Sequence, residues 1–101
     1  MPHLHFEINF SVPDADKVEF AARVKDLFAR IMDTGTDHTA VTIRCYGTHD
    51  LSFGSAKNAG EAIAFVNADV RSGGAAEQKR ELSLTFIEDL FQRWQVRKSN
   101  V

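Results

Sequence analysis

The sequence predicts an α/β (α+β) protein made of two tandem βαβ-type units, with two helices on one face of a sheet. Three observations support this fold class: short segments alternate between apolar and polar residues, two longer segments carry apolar residues at helical spacing, and the two helical segments share a short motif. The 101 residues suffice for a single domain. We expect residues 1–46 to form the first unit and residues 62–101 the second.

Residues 3–10 predict the first strand. Alternate positions are apolar, and the positions between them are mostly polar, which is typical of a strand with one buried face. The apolar set is Leu4, Phe6, Ile8 and Phe10, and the other set is His3, His5, Glu7 and Asn9.

A helix is expected next, to about Met32. Asp16 and Glu19 have the spacing of a capping box, and Gly35 would end the helix. Its apolar positions recur every three or four residues and predict one buried stripe. They are Phe20, Val24, Leu27, Phe28 and Ile31.

Residues 40–46 alternate again and predict a second strand, parallel to the first, with Val41, Ile43 and Cys45 on one face. The glycine-containing stretch 47–61 predicts an irregular loop, with a short strand at 51–53. Residues 62–71 are rich in apolar residues, which favours a third strand that is more fully covered than the first two.

A second helix is expected over 75–94, with a stripe made by Leu82, Phe86, Leu90 and Phe91 and widened by Ile87 and Trp94. Its segment EDLFQR at 88–93 nearly repeats KDLFAR at 25–30. Because both copies lie at the same place in a strand–helix pattern, a duplicated unit is the favoured interpretation. The second unit would then lack its closing strand, so that either the final strand is missing from this chain or the natural chain is short.

Charge and composition restrict the classes of partner. The net charge is −2 and the basic residues are scattered, which argues against nucleic-acid binding. No apolar run approaches the roughly 20 residues that span a bilayer, and the first ten residues do not resemble a signal peptide. We therefore expect a cytoplasmic protein with neither a nucleic-acid nor a membrane partner. The single cysteine, Cys45, is expected to be a small buried hydrophobic residue.

Several segments, taken in order, resemble the tautomerase superfamily, whose members use an N-terminal proline. Met1-Pro2-His3 before an apolar strand, Ile43-Arg44 in the second strand, and AFV at 64–66 before a basic residue and a glycine turn are most similar to 5-carboxymethyl-2-hydroxymuconate isomerase. LSFGS at 51–55 and RSGGA at 71–75 resemble macrophage migration inhibitory factor. The resemblance covers nearly the whole chain.

The resemblance implies a homotrimer built around the sheets, with an active site beside each N-terminal proline, no cofactor, and a small carboxylate as substrate. Removal of Met1 would leave Pro2 as a rigid secondary amine, and apolar neighbours such as Leu4, Phe6 and Phe53 would lower its pKa toward neutrality. The resemblance places Arg44 and Arg71 beside the pocket. Their guanidinium groups suit a substrate carboxylate and a dienolate, and the amides of residues 73–76 could also attract an anion.

The leading interpretation is tautomerisation or allylic isomerisation of an unsaturated 2-oxo or 2-hydroxy carboxylic acid. Pro2 would be the catalytic base, and Arg44, Arg71 and Phe53 would bind the substrate. A decarboxylase or hydratase on the same platform is a rival, although those relatives usually carry a second arginine where this chain has Ser72. A non-catalytic α/β binding or assembly module is the third interpretation. If Met1 is retained, the Pro2 nitrogen is an amide nitrogen and cannot act as a base.

The first strand also raises the question of a metal site. His3, His5 and Glu7 share one face of this strand, but such residues are typical of an open strand surface, and no functional metal is expected.

Overall fold

A computed structural model describes residues 2–58, 60–70 and 75–101 of the chain. Along the sequence it contains β1 (His3–Ile8), α1 (Asp14–Met32), β2 (Ala40–Cys45), β3 (Ala64–Asp69), α2 (Ala76–Trp94) and a short 3-10 helix (Lys98–Asn100). These elements form a three-stranded mixed sheet with two helices. The predicted fold class is therefore confirmed.

The central strand of the sheet is β1, in the order β2-β1-β3. It runs parallel to β2, with His3 opposite Ala40 and Ile8 opposite Cys45, so the predicted parallel pairing is confirmed. It runs antiparallel to β3, with His3 opposite Asp69. Consequently one end of the sheet holds the first residues of β1 and β2 and the last residue of β3.

The alternation of β1 separates a helix-covered face from an open one. Leu4, Phe6 and Ile8 are fully buried, and the Phe6 ring contacts the rings of Phe20 on α1 and Phe86 on α2 edge-on, with centroids 4.9 and 5.5 Å apart. Burying one such side chain stabilises a fold by about 1.5–3 kcal/mol. The opposite face of β1 is half-buried and polar.

The helix α1 buries the predicted stripe at Phe20, Val24, Leu27 and Phe28, but its ends differ from the prediction. Pro13 is the N-cap and the helix begins at Asp14, so Asp16 lies inside the first turn and the predicted capping box is wrong. Both aspartates of that turn still favour the helix by facing its positive end. At the other end Asp33, with φ of 54°, takes the left-handed position that was expected of Gly35.

The helix α2 buries Leu82, Phe86 and Leu90, as predicted, but it buries Asp89 in place of Phe91. Phe91 is 40% exposed, so its assignment to the apolar stripe was wrong. The helix α2 thus buries three apolar residues, whereas α1 buries four.

The edge strands are less covered than expected. Cys45 is exposed, contrary to the prediction, because it ends an edge strand at a point where the burial of β2 decreases. In β3 the last three residues are exposed, which contradicts the expectation of a more fully covered strand. Residues 51–53 lie within the described loop and form no strand.

The first strand ends at Ile8, short of the predicted Phe10, and the next residue is the buried Asn9. Its side chain is 3% exposed, donates to the carbonyls of Thr48 and Glu61 at 3.0 Å, and accepts from the amide of Ile63 at 2.8 Å. Asn9 thus connects β1 to both ends of the loop 48–61.

Neither helix in the described part of the chain has the length and apolar character that a membrane span requires.

Candidate active site

Pro2 lies directly before the central strand and is half-buried. Its carbonyl accepts a hydrogen bond of 3.0 Å from the amide of Ala40, which fixes Pro2 beside the beginning of β2. The last residue of β3, Asp69, lies opposite His3. Pro2 therefore lies at the end of the sheet where β1 and β2 begin and β3 ends.

His3 and His5 point to the open face of the sheet, next to Pro2 in sequence. The His3 Nε2 atom is 2.6 Å from the Thr42 hydroxyl, and the two imidazole rings stack with centroids 3.8 Å apart. Among residues 2–58, 60–70 and 75–101, no group of three or more His, Cys, Asp or Glu side chains could hold a metal ion.

Arg44 lies at the opposite end of the sheet from Pro2. It is exposed and lies opposite Glu7, five residues along β1 from Pro2, which corresponds to roughly 16 Å at the rise of a strand. The Glu7 carboxylate accepts a hydrogen bond of 2.8 Å from the Tyr46 hydroxyl. No local pattern in the sequence predicts this bond, because Tyr46 and Glu7 are 39 residues apart.

Phe53 lies at the same end of the sheet as Arg44, away from Pro2. Its ring is 36% exposed and contacts the Phe65 ring edge-on, with centroids 5.9 Å apart, and Phe65 lies opposite Glu7. A cavity of about 200 Å³ adjoins Phe53 and is lined by the loop 48–61, Asn9 and Ile63. Leu4 and Phe6, also expected around the proline amine, are instead fully buried in the core.

Arg71 lies outside the described residues, as do two of the four backbone amides that were expected to attract an anion. The amide of Ala75 donates to the Gln78 side-chain oxygen at 2.8 Å, so that amide is already bonded. Within one protomer, the described site residues thus occupy two ends of the sheet: Pro2 at one end, and Arg44 with Phe53 at the other.

Comparison of the sequence with protein-family models and with curated proteins finds no match. Solved structures do match. The chain superimposes on Leishmania major MIF2 with a TM-score of 0.83 and 12% identity, covering 99% of this chain and 82% of that one. It superimposes on a fused 4-OT described as a symmetric trimer with a TM-score of 0.83 and 20% identity, covering 98% and 79%.

A third solved structure, Pt0534 inactivated by 2-oxo-3-pentynoate, matches with a TM-score of 0.79 and 13% identity, over 98% of this chain and 80% of that one. At these identities the likeness establishes a shared fold, the fold of MIF and 4-OT proteins.

Proposed function

We propose that the chain is an isomerase that uses the amine of Pro2 to move a proton and a double bond in an unsaturated 2-oxo or 2-hydroxy carboxylic acid. The observation that carries this proposal is the position of Pro2, half-buried at the start of the central strand of a MIF-like and 4-OT-like sheet. The inactivation of Pt0534 by a 2-oxo acid supports this class of substrate.

The proposed reaction needs one group that accepts and returns a proton. Once Met1 is removed, the Pro2 nitrogen is a secondary amine with a free lone pair, and it takes a proton from the hydroxyl of a 2-hydroxy (enol) substrate or from a carbon of a 2-oxo substrate. The electrons of the broken O–H or C–H bond pass into an enolate or dienolate, and the protonated amine returns the proton to a different carbon. A partly buried position favours the neutral amine, which is the form that acts as a base.

Substrate binding is proposed to involve Arg44, Arg71 and Phe53. Arg44 lies opposite Glu7, which is roughly 16 Å along β1 from Pro2, so we propose that neighbouring subunits supply these two residues to one small substrate. This distance, together with the trimeric state of the fused 4-OT, supports a homotrimer in which the site combines neighbouring chains. A cytoplasmic location, expected from the sequence, stays a prediction.

The proposal is tested by the rate of ketonisation of phenylenolpyruvate or 2-hydroxymuconate. Pro2→Ala should lower kcat/KM by about 10²–10⁴-fold, the usual contribution of a positioned acid–base group. Pro13→Ala is the matched control, since Pro13 is the other proline of the chain and is exposed at the start of α1.

Equal rates for wild type and Pro2→Ala would contradict the mechanism. No activity in a wild-type protein that lacks Met1 would instead favour a binding or assembly module.

A further inference from the structure

We propose that the groove between α1 and α2 binds an organic cation, namely an alkylammonium or alkylguanidinium group. The groove has a volume of about 470 Å³ and is lined by one residue of α1 and eight of α2. None of its described lining residues belongs to a strand, so the groove is separate from Pro2 and from Arg44. The proposal therefore does not depend on the proposed isomerase activity.

The first reason is a buried carboxylate in the wall of the groove. Asp89 is 7% exposed, and its Oδ1 atom accepts a hydrogen bond from Arg23 Nε. Its Oδ2 atom is buried and has no hydrogen-bond partner among the described residues. An unsatisfied buried oxygen is costly, and a charged donor that reached it would recover that cost.

The second reason is the charge of the lining. Asp89 is joined by Glu77, Glu81 and Glu88, so four carboxylates face two guanidinium groups, those of Arg23 and Arg80. The excess of two negative charges attracts a cation and opposes an anion. Lys98 offsets part of this charge from outside the groove, since its Nζ atom lies 3.2 Å from Glu88 Oε1.

The third reason is an exposed apolar side chain in the same groove. Leu84 is 57% exposed and lines the groove beside Thr85. The alkyl stem of an amine or a guanidine would cover this surface while its charged head lay at Asp89. Chemistry of this kind is found in free polyamines and in the lysine and arginine side chains of peptides.

Entry to Asp89 requires the Arg23 side chain to move. That side chain is 52% exposed, so one half of it already faces solvent and can turn outward without leaving the protein core. Arg23 thus bonds the Oδ1 atom of Asp89 when no ligand is present. Once the Arg23 side chain has turned outward, the incoming cation bonds the Oδ2 atom.

Titration followed by NMR amide shifts tests the proposal, with agmatine and spermidine as free cations and acetyl-Gly-Arg-Gly-amide as a peptide side chain. We expect saturable shifts confined to the groove residues of α1 and α2. Binding of the free cations alone would identify a polyamine-like ligand, and equal binding of the peptide would identify an arginine side chain. Both results support the site, whereas unsaturable or dispersed shifts for all three probes would overturn it.

Two variants distinguish binding at Asp89 from nonspecific attraction of cations to the negatively charged surface. Asp89→Asn should weaken binding about tenfold or more, because a hydrogen bond to a charged group is lost. Asp26→Asn is the matched control, since Asp26 has the same place in the motif of α1 but is exposed, and it should bind as wild type does.

Asp89→Asn also removes the partner of Arg23 and can therefore destabilise the fold. Glu81→Gln and Leu84→Ser provide a second test on the rim of the groove, where both side chains are exposed, and each should weaken binding severalfold. Unchanged affinity in both of these variants would contradict the proposal even if Asp89→Asn proved unstable.

Discussion

In the first half of the chain, α1 leads into β2, and β2 is paired with β1 from Ala40 to Cys45. In the second half, α2 leads into the 3-10 helix at Lys98–Asn100, and no strand pairs with the outer edge of β3 in the described part of the chain. Both helices have 19 residues. The halves therefore share a strand and a helix and differ in the segment that comes after the helix.

The two halves consequently depend on different bonds. In the first half, backbone groups join the segment after the helix to the sheet, beginning with Ala40 and Pro2 at 3.0 Å. In the second half, side chains join that segment to the residues just before β3: the Asn100 amide donates to the Ala62 carbonyl at 3.2 Å, and Arg97 donates to Glu61 at 3.2 Å. A backbone ladder tolerates side-chain substitution, whereas a side-chain connection does not.

The shared Asp-Leu-Phe motif also differs between the two halves, in the burial of its phenylalanine. Leu27 and Leu90 are both buried, but Phe28 is 1% exposed while Phe91 is 40% exposed. The Phe91 ring instead lies under the Lys98 ammonium group, 5.2 Å from the ring centroid. Duplication, if it produced the two halves, has not kept the same burial at equal positions.

The largest difference should appear when the two phenylalanines are truncated. Phe28→Ala should lower the free energy of unfolding by about 3–5 kcal/mol, because it leaves a cavity in the core. Phe91→Ala should lower it by less than about 1 kcal/mol, as is usual for a partly exposed side chain. Urea denaturation measures both, and equal losses would show that the two halves are packed alike.

A smaller effect is expected at the side-chain connection of the second half. Asn100→Ala should lower the free energy of unfolding by about 1–3 kcal/mol, because the partly buried Ala62 carbonyl loses a hydrogen bond. Ser99→Ala, at an exposed neighbouring residue, is the control and should change stability little. If Asn100→Ala behaved like the control, the connection would contribute nothing to stability.

The smallest effect concerns the pH dependence of that connection. The pKa of Glu61 is lowered from its ordinary value of 4.5, chiefly by the hydrogen bond from the Asn58 amide and then by those from Asn100 and Arg97, against the opposing effect of burial. Because the folded-state pKa is depressed, this contribution is complete above pH 4.5 and is lost as the pH falls through the lower folded-state pKa.

The Tm of wild type should therefore fall more steeply than that of Glu61→Gln as the pH decreases from about 5 to 3. Glu19→Gln, at an exposed position of α1, serves as the control and should follow the wild-type curve. Parallel curves for wild type and Glu61→Gln would exclude a role for the ionised carboxylate.

The sequence was sufficient for features that depend on local periodicity. The alternation in β1 and the spacing from Phe20 to Phe28 predicted the buried faces, since a strand repeats every two residues and a helix every 3.6. The same reasoning failed for Cys45, because alternation indicates which face a residue shares but not whether another element covers that face.

The polar contacts could not be predicted because they join residues far apart in sequence. The bond between Tyr46 and Glu7, and the three bonds of Asn9, depend on strand register and loop path. The separation of Pro2 from Arg44 likewise depends on register. The identities of the candidate site residues therefore did not show that one protomer holds them at opposite ends of its sheet.

The state and reactivity of the Pro2 nitrogen test the central proposal most directly. Intact mass should show that Met1 is removed, and incubation with 2-oxo-3-pentynoate should add one reagent mass by conjugate addition of the amine to the alkyne. Peptide mapping should place that addition on Pro2. A retained Met1, or a reagent that modifies lysines while the N-terminal peptide stays unmodified, would contradict the proposed function.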